Sequence, residues 1–158
     1  MNRGLILGGF AFAAVSFVAP ASADEWKANW EPSQFADGSP YCMIWFGEQR
    51  PMMNFTIAED FSLLAVGDDR FADLEGMLDA VLNLPSGVSG LRVDVSAAPA
   101  VNGVRLMLSE QDLDTLLFDF AAGGTFTFEV AGTSNSFPTT GFAGLIDTVQ
   151  ACRAVLAR

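Results

Sequence analysis

The chain has 158 residues, 19 acids against 8 bases and a formal net charge of −11, with 51% hydrophobic residues and no histidine. So acidic a surface repels phosphate backbones and anionic lipid heads, which argues against nucleic-acid partners and leaves a cation or a basic protein as the complementary partner. The missing histidine removes the commonest general base and metal ligand, and with it any Ser-His-Asp or Cys-His catalytic site.

Residues 1–23 read as a cleavable export signal. Arg3 and the chain amine supply positive charge, Leu5 to Val18 is an uncharged apolar run, and Pro20 ends it. Ala21-Ser22-Ala23 then presents the small residues that a signal peptidase accepts. The run is about 14 residues, short of the roughly 20 that a spanning helix needs. No Cys follows it, and there is no Arg-Arg pair, so neither a lipoprotein nor a twin-arginine signal is expected. The expected product is one domain, 24–158, starting at Asp24, periplasmic or secreted, with no membrane insertion after cleavage.

The mature part opens on an arm with Trp26 and Trp30, closed by the turn Asp37-Gly38-Ser39-Pro40. The two Trp lie four apart, which suits one face of a helical turn or the capped end of a sheet. Both are interface candidates, because aromatic residues are enriched where proteins meet. Tyr41 to Phe46 has strand composition, Gly47 to Pro51 is a turn, and Met53, Phe55 and Ile57 share one face of the next strand. Glu59-Asp60 breaks the pattern and Phe61 to Val66 follows, giving an antiparallel meander.

Residues 68–84 fit two periods. Leu74, Met77, Leu78, Val81 and Leu82 match a helical stripe, whereas Leu78, Ala80, Leu82 and Leu84 match a strand face. Gly76 speaks against helix, and a strand from Leu78 to Leu84 is the expectation. Leu91 to Ser96 alternates, Ala97 to Val101 is a loop, and Asn102-Gly103 is a hairpin turn into Val104 to Leu108. Ser109 caps a helix with the stripe Leu113, Leu116, Leu117 and Phe120, ended by Gly123-Gly124. Thr125 to Val130 is a strand and Gly132 to Pro138 a polar loop. The last helix runs from about Gly141 to Ala157, with Thr139 or Thr140 as its cap. The fold class expected is α+β: an antiparallel sheet of about five to seven strands, a helix near 110–121 and a C-terminal helix packed on the sheet.

Two cysteines, Cys42 and Cys152, fall in apolar segments. An oxidising compartment and an even count predict a structural disulfide between them. A redox pair usually sits as Cys-x-x-Cys, and a metal site needs more Cys or His than the chain has. Lys27 is the sole Lys, near the mature N-terminus, a poor address for a Ser-Lys site. Glu59-Asp60, Asp68-Asp69 and Asp112 with Asp114 are the carboxylate pairs open to acid-base hydrolysis, and solvated surface is their plainer role. The acidic stretch from Asp68 to Glu75 lacks the Asp-x-Asp-x-Asp-Gly framework of a calcium loop. No glycine cluster forms a phosphate loop with its Lys, and Asn54-Phe55-Thr56, a glycosylation pattern, lies inside a strand. Tyr41, Trp45 and Phe46, with the two early Trp, line either a groove or the core, and core suits Trp45 and Phe46 better. No catalytic residue, metal site or cofactor is assigned.

The run Phe137-Pro138-Thr139-Thr140-Gly141-Phe142-Ala143-Gly144-Leu145, then Cys152, together with Trp26 and Cys42, resembles small exported proteobacterial proteins with the layout of the invasion-associated locus B type. The resemblance implies a periplasmic α+β domain, no known enzymology, and no catalytic residue to carry over. The leading functional expectation is a non-enzymatic exported domain acting by protein interaction at the cell envelope. One alternative is an inhibitor of a basic secreted enzyme such as lysozyme, whose association the negative charge would steer. The other is a carboxylate-dependent envelope hydrolase.

Overall fold

Period-two alternation carries most of this molecule. The computed structural model describes residues 25–157. The expected export signal and Asp24 lie outside the described residues. The strands are β1 (Trp26–Ala28), β2 (Ser33–Gln34), β3 (Pro40–Phe46), β4 (Met52–Ala58), β5 (Ser62–Gly67), β6 (Met77–Asn83), β7 (Leu91–Ala98), β8 (Gly103–Leu108), β9 (Thr125–Val130) and β10 (Thr133–Pro138). Two helices, α1 (Glu110–Ala121) and α2 (Ile146–Leu156), follow β8 and β10. Among the described residues no helix is long and apolar enough to cross a membrane.

All pairings are antiparallel and form one sheet in the order β1-β3-β4-β5-β8-β7-β6-β9-β10, with β2 added on β3. Two meanders therefore meet between β5 and β8. The sheet curls until its ends approach: Trp26 Nε1 on β1 donates to the Pro138 carbonyl on β10 at 2.7 Å. Phe46 and Phe137 meet edge to face with centroids 6.1 Å apart. Inward residues such as Ile44, Phe55, Leu64, Ala80, Phe126 and Phe128 are buried beneath α1 and α2. Phe120 of α1 sits at the centre, against the rings of Trp26, Phe55, Phe126 and Phe142.

The class is the expected α+β, with the C-terminal helix packed on the sheet. The sheet has ten strands, more than the five to seven read from the pattern. The three additions to the seven read from the pattern are β1, β2 and β10. The stretch expected as a polar loop is strand β10. Ala131 (φ 49°) and Gly132 (φ 75°) make the tight turn, and Thr133 to Pro138 then pairs fully with β9. Asn135 and Phe137 face in while Ser134 and Ser136 face out, so the alternation is there but written in polar residues. Residues 77–83 are strand, as expected. Gly76 holds φ 72°, a conformation that suits glycine and interrupts any helix there.

The start of the last helix differs too. Gly141 is left-handed (φ 87°), Phe142–Leu145 is a single 3-10 turn, and α2 begins at Ile146. Neither threonine caps it: Thr139 is buried, and its hydroxyl lies 3.3 Å from the Gly124 carbonyl, to which it donates. By contrast α1 starts as expected, with Ser109 Oγ accepting from the Asp112 amide at 3.1 Å. Cys42 on β3 and Cys152 on α2 are disulfide-bonded, with Cα atoms 6.0 Å apart. That separation is within the range such bonds require.

Candidate functional site: the acidic helical face

The stripe of α1 leaves one large apolar residue on the wrong side. Leu113, Leu116, Leu117 and Phe120 are buried against the sheet, but Phe118 is 80% exposed. Four acids and no base lie within α1, which reads EQDLDTLLFDFA. Arg153 of α2 reaches across to it, donating to Asp114 Oδ1 at 2.8 Å and lying 3.6 Å from Glu110. Phe118 stands between two shallow hollows. One is lined by Glu110, Gln111, Asp114 and Thr115. The other runs between the helices over Leu117, Ala121, Ile146, Gln150 and Ala154. The result is an aromatic anchor in an apolar seam with an acidic rim, the pattern of a protein-contact patch.

The carboxylates singled out in the sequence are mostly in use elsewhere. Asp112 accepts from Ser109 Oγ at 2.6 Å, and Asp69 pairs with Arg50 at 3.0 Å. Asp68 is buried and accepts three bonds from Arg70, one from its backbone amide at 2.9 Å and two from its guanidinium at 2.9 and 2.5 Å. Arg70 also donates to Asn135 Oδ1 at 3.0 Å, tying the segment after β5 to β10. The Arg70 guanidinium lowers the Asp68 carboxyl to about 2, against the upward push of burial. The Lys27 ammonium lowers Glu48, and bonds from Ser39 lower Asp37. A general acid at neutral pH needs the opposite displacement. Glu59 and Asp60 are exposed at the β4–β5 hairpin. No group of three or more metal-ligating side chains occurs among the described residues.

The interface candidates divide. Trp30 is 74% exposed just after β1. Trp26 is 6% exposed: it lies in β1 rather than on a helical turn, its ring packs on Phe46 and Phe142, and it is unavailable as an interface residue. Phe46 is core, as expected. Trp45 alternates to the outer face of β3 and is half-buried, a departure from the core role expected for it.

No protein-family model, curated protein or solved structure matches this chain. Geometry and chemistry therefore carry the functional argument. Phe118 went unremarked in the sequence pattern, although the signal was there. It is an aromatic residue off the apolar stripe of a helix that presents acids on its other positions.

Proposed function

We propose that this protein is a non-enzymatic exported domain that acts by protein interaction at the cell envelope, taking a basic partner on the α1–α2 face. The observation that carries this reading is Phe118, a bulky ring left in solvent beside Glu110 and Asp114. An exposed ring supplies anchoring area, and the acids of α1, which outnumber the one Arg153 paired with them, steer a cationic partner to it. The disulfide suits an oxidising compartment. The layout resemblance to exported proteins of the invasion-associated locus B type points the same way.

The inhibitor alternative uses the same face, with a basic enzyme such as lysozyme as the partner. For the hydrolase alternative, the pairs Asp68-Asp69 and Asp112 with Asp114 are occupied by structural bonds. The test is affinity capture from envelope extract with the wild-type domain and with Phe118→Ser. The reading expects a basic partner that is lost in Phe118→Ser and released by moderate salt. Identical capture by both forms would refute it. A lysozyme turnover assay on the same two forms separates the inhibitor alternative: slowed turnover that the variant relieves supports inhibition.

A further inference from the structure

The outer face of the sheet holds a second feature of opposite character, independent of the helical face. β1, β3, β4, β5 and β8 contain no acidic residue. Residues of β4, β5 and β8, with Ala98 of β7 and the flanking loops, form a groove of about 480 Å³, and no acid lines it. That volume falls within the roughly 300–1,000 Å³ of small-molecule sites.

The groove exists because small residues meet across three strands. Ala65 and Gly67 of β5 face outward, Gly67 is paired with Gly103 of β8, and Gly103 is paired with Ala98 of β7. A Cβ on Gly67 would come within 3.1 Å of Met52 Cγ, and one on Gly103 within 3.1 Å of the Val66 carbonyl. Phe35, Phe61 and Leu63 give an apolar wall at one end and Val101 at the other, while Asn54 and Thr56 of β4, bonded to each other at 3.0 Å, add a polar strip. Phe35 is itself held by Tyr41, with stacked rings 4.2 Å apart.

Two cations border this trough. Arg50 is fixed by Asp69 at 3.0 Å and by the Val101 carbonyl at 2.8 Å. Arg105 projects outward from β8 between Ala65 and Ser96. Its guanidinium is exposed and makes no hydrogen bond or ion pair among the described residues. A chain this acidic has few bases, and two of them flank an apolar trough without an acid in its lining. The geometry points to a binding site for a single-chain amphiphile with a carboxylate head: the chain lies over Ala65 towards Leu63 and Phe61, and the head pairs with Arg105. An open guanidinium fork matches a carboxylate in shape and charge.

Isothermal titration with decanoate, below its micelle concentration, tests the site against decan-1-ol and decyltrimethylammonium. The site expects decanoate to bind with one-to-one stoichiometry, the alcohol roughly tenfold more weakly, and the ammonium not at all. Arg105→Gln, an exposed change that leaves the fold intact by circular dichroism, should weaken decanoate roughly tenfold and leave the alcohol unchanged. Ala65→Phe should fill the trough and remove both. Phe118→Ser should leave decanoate binding as it is, so this result stands or falls apart from the partner reading. Absence of decanoate binding, equal binding of acid and alcohol, or an Arg105→Gln variant that binds like the wild type would overturn the proposal.

Discussion

Asp68→Asn removes one charge and almost no volume from a buried cluster. The Asp68 carboxyl sits at about 2 in the folded chain against 3.8 as its ordinary value. At about 1.36 kcal/mol per pH unit, that gap is worth about 2.4 kcal/mol at neutral pH. The Asp68 side chain is 7% exposed but Arg70 is 57% exposed, so water screens part of the pair. We expect about 2 kcal/mol in practice. A depressed carboxyl stabilises the fold fully above 3.8 and loses that contribution as pH falls through about 2. Roughly half should remain at pH 3 and a few tenths of a kcal/mol at pH 2. Urea unfolding of wild type and Asp68→Asn at pH 7, 3 and 2 measures the difference, and other carboxylates cancel because both proteins carry them. The gap should close as pH falls. A gap that stays constant from pH 7 to pH 2 would refute the assignment of this stability to the charge on Asp68.

Three further outcomes follow from the same structure. Replacing both cysteines, Cys42→Ala with Cys152→Ala, opens a loop of 110 residues. Chain entropy puts the loss at about 4.8 kcal/mol, so denaturant unfolding should show a loss of about 2–5 kcal/mol. Phe120→Ala empties the meeting point of four rings and should lower stability by about 3–5 kcal/mol, read as a drop in the urea midpoint at unchanged slope. Phe118→Ser, one residue position from the buried Leu117, should shift stability by no more than about 0.5 kcal/mol, because the ring is in solvent. A large loss there would mean that Phe118 is packed and could not anchor a partner.

Apolar alternation made β3, β4, β5, β7, β8 and β9 legible, and capping chemistry made α1 legible. The segment 77–83 sat between two periods, and the φ of Gly76 favours the strand. β10 was illegible because its inward side reads Thr133, Asn135 and Phe137 against Ser134 and Ser136 outward, so a single apolar residue carries no hydrophobic period there. β1 and β2 are too short for a pattern to form. The pairing of Cys42 with Cys152 was legible because only one pairing is available. The outward face was the hardest to read. Ala65, Gly67 and Gly103 are far apart or differently placed in sequence, and only sheet register brings them together into a trough. Phe118 needed no register, only attention to an aromatic residue that breaks its helix's stripe.

The closure of β1 and β3 against β10 and α2 also sets which parts of the chain must be present before the sheet can be sealed. Trp26 waits for Pro138, Phe46 for Phe137, and Cys42 for Cys152, so each fastening joins an early residue to a late one. A nascent chain that ends before residue 137 holds most of the strands but none of these fastenings. It has β3, β4 and β5 in hand, yet α2 has not arrived to cover them. The contacts that seal the sheet and pin α2 to it therefore all wait for the last stretch of the chain, after residue 136.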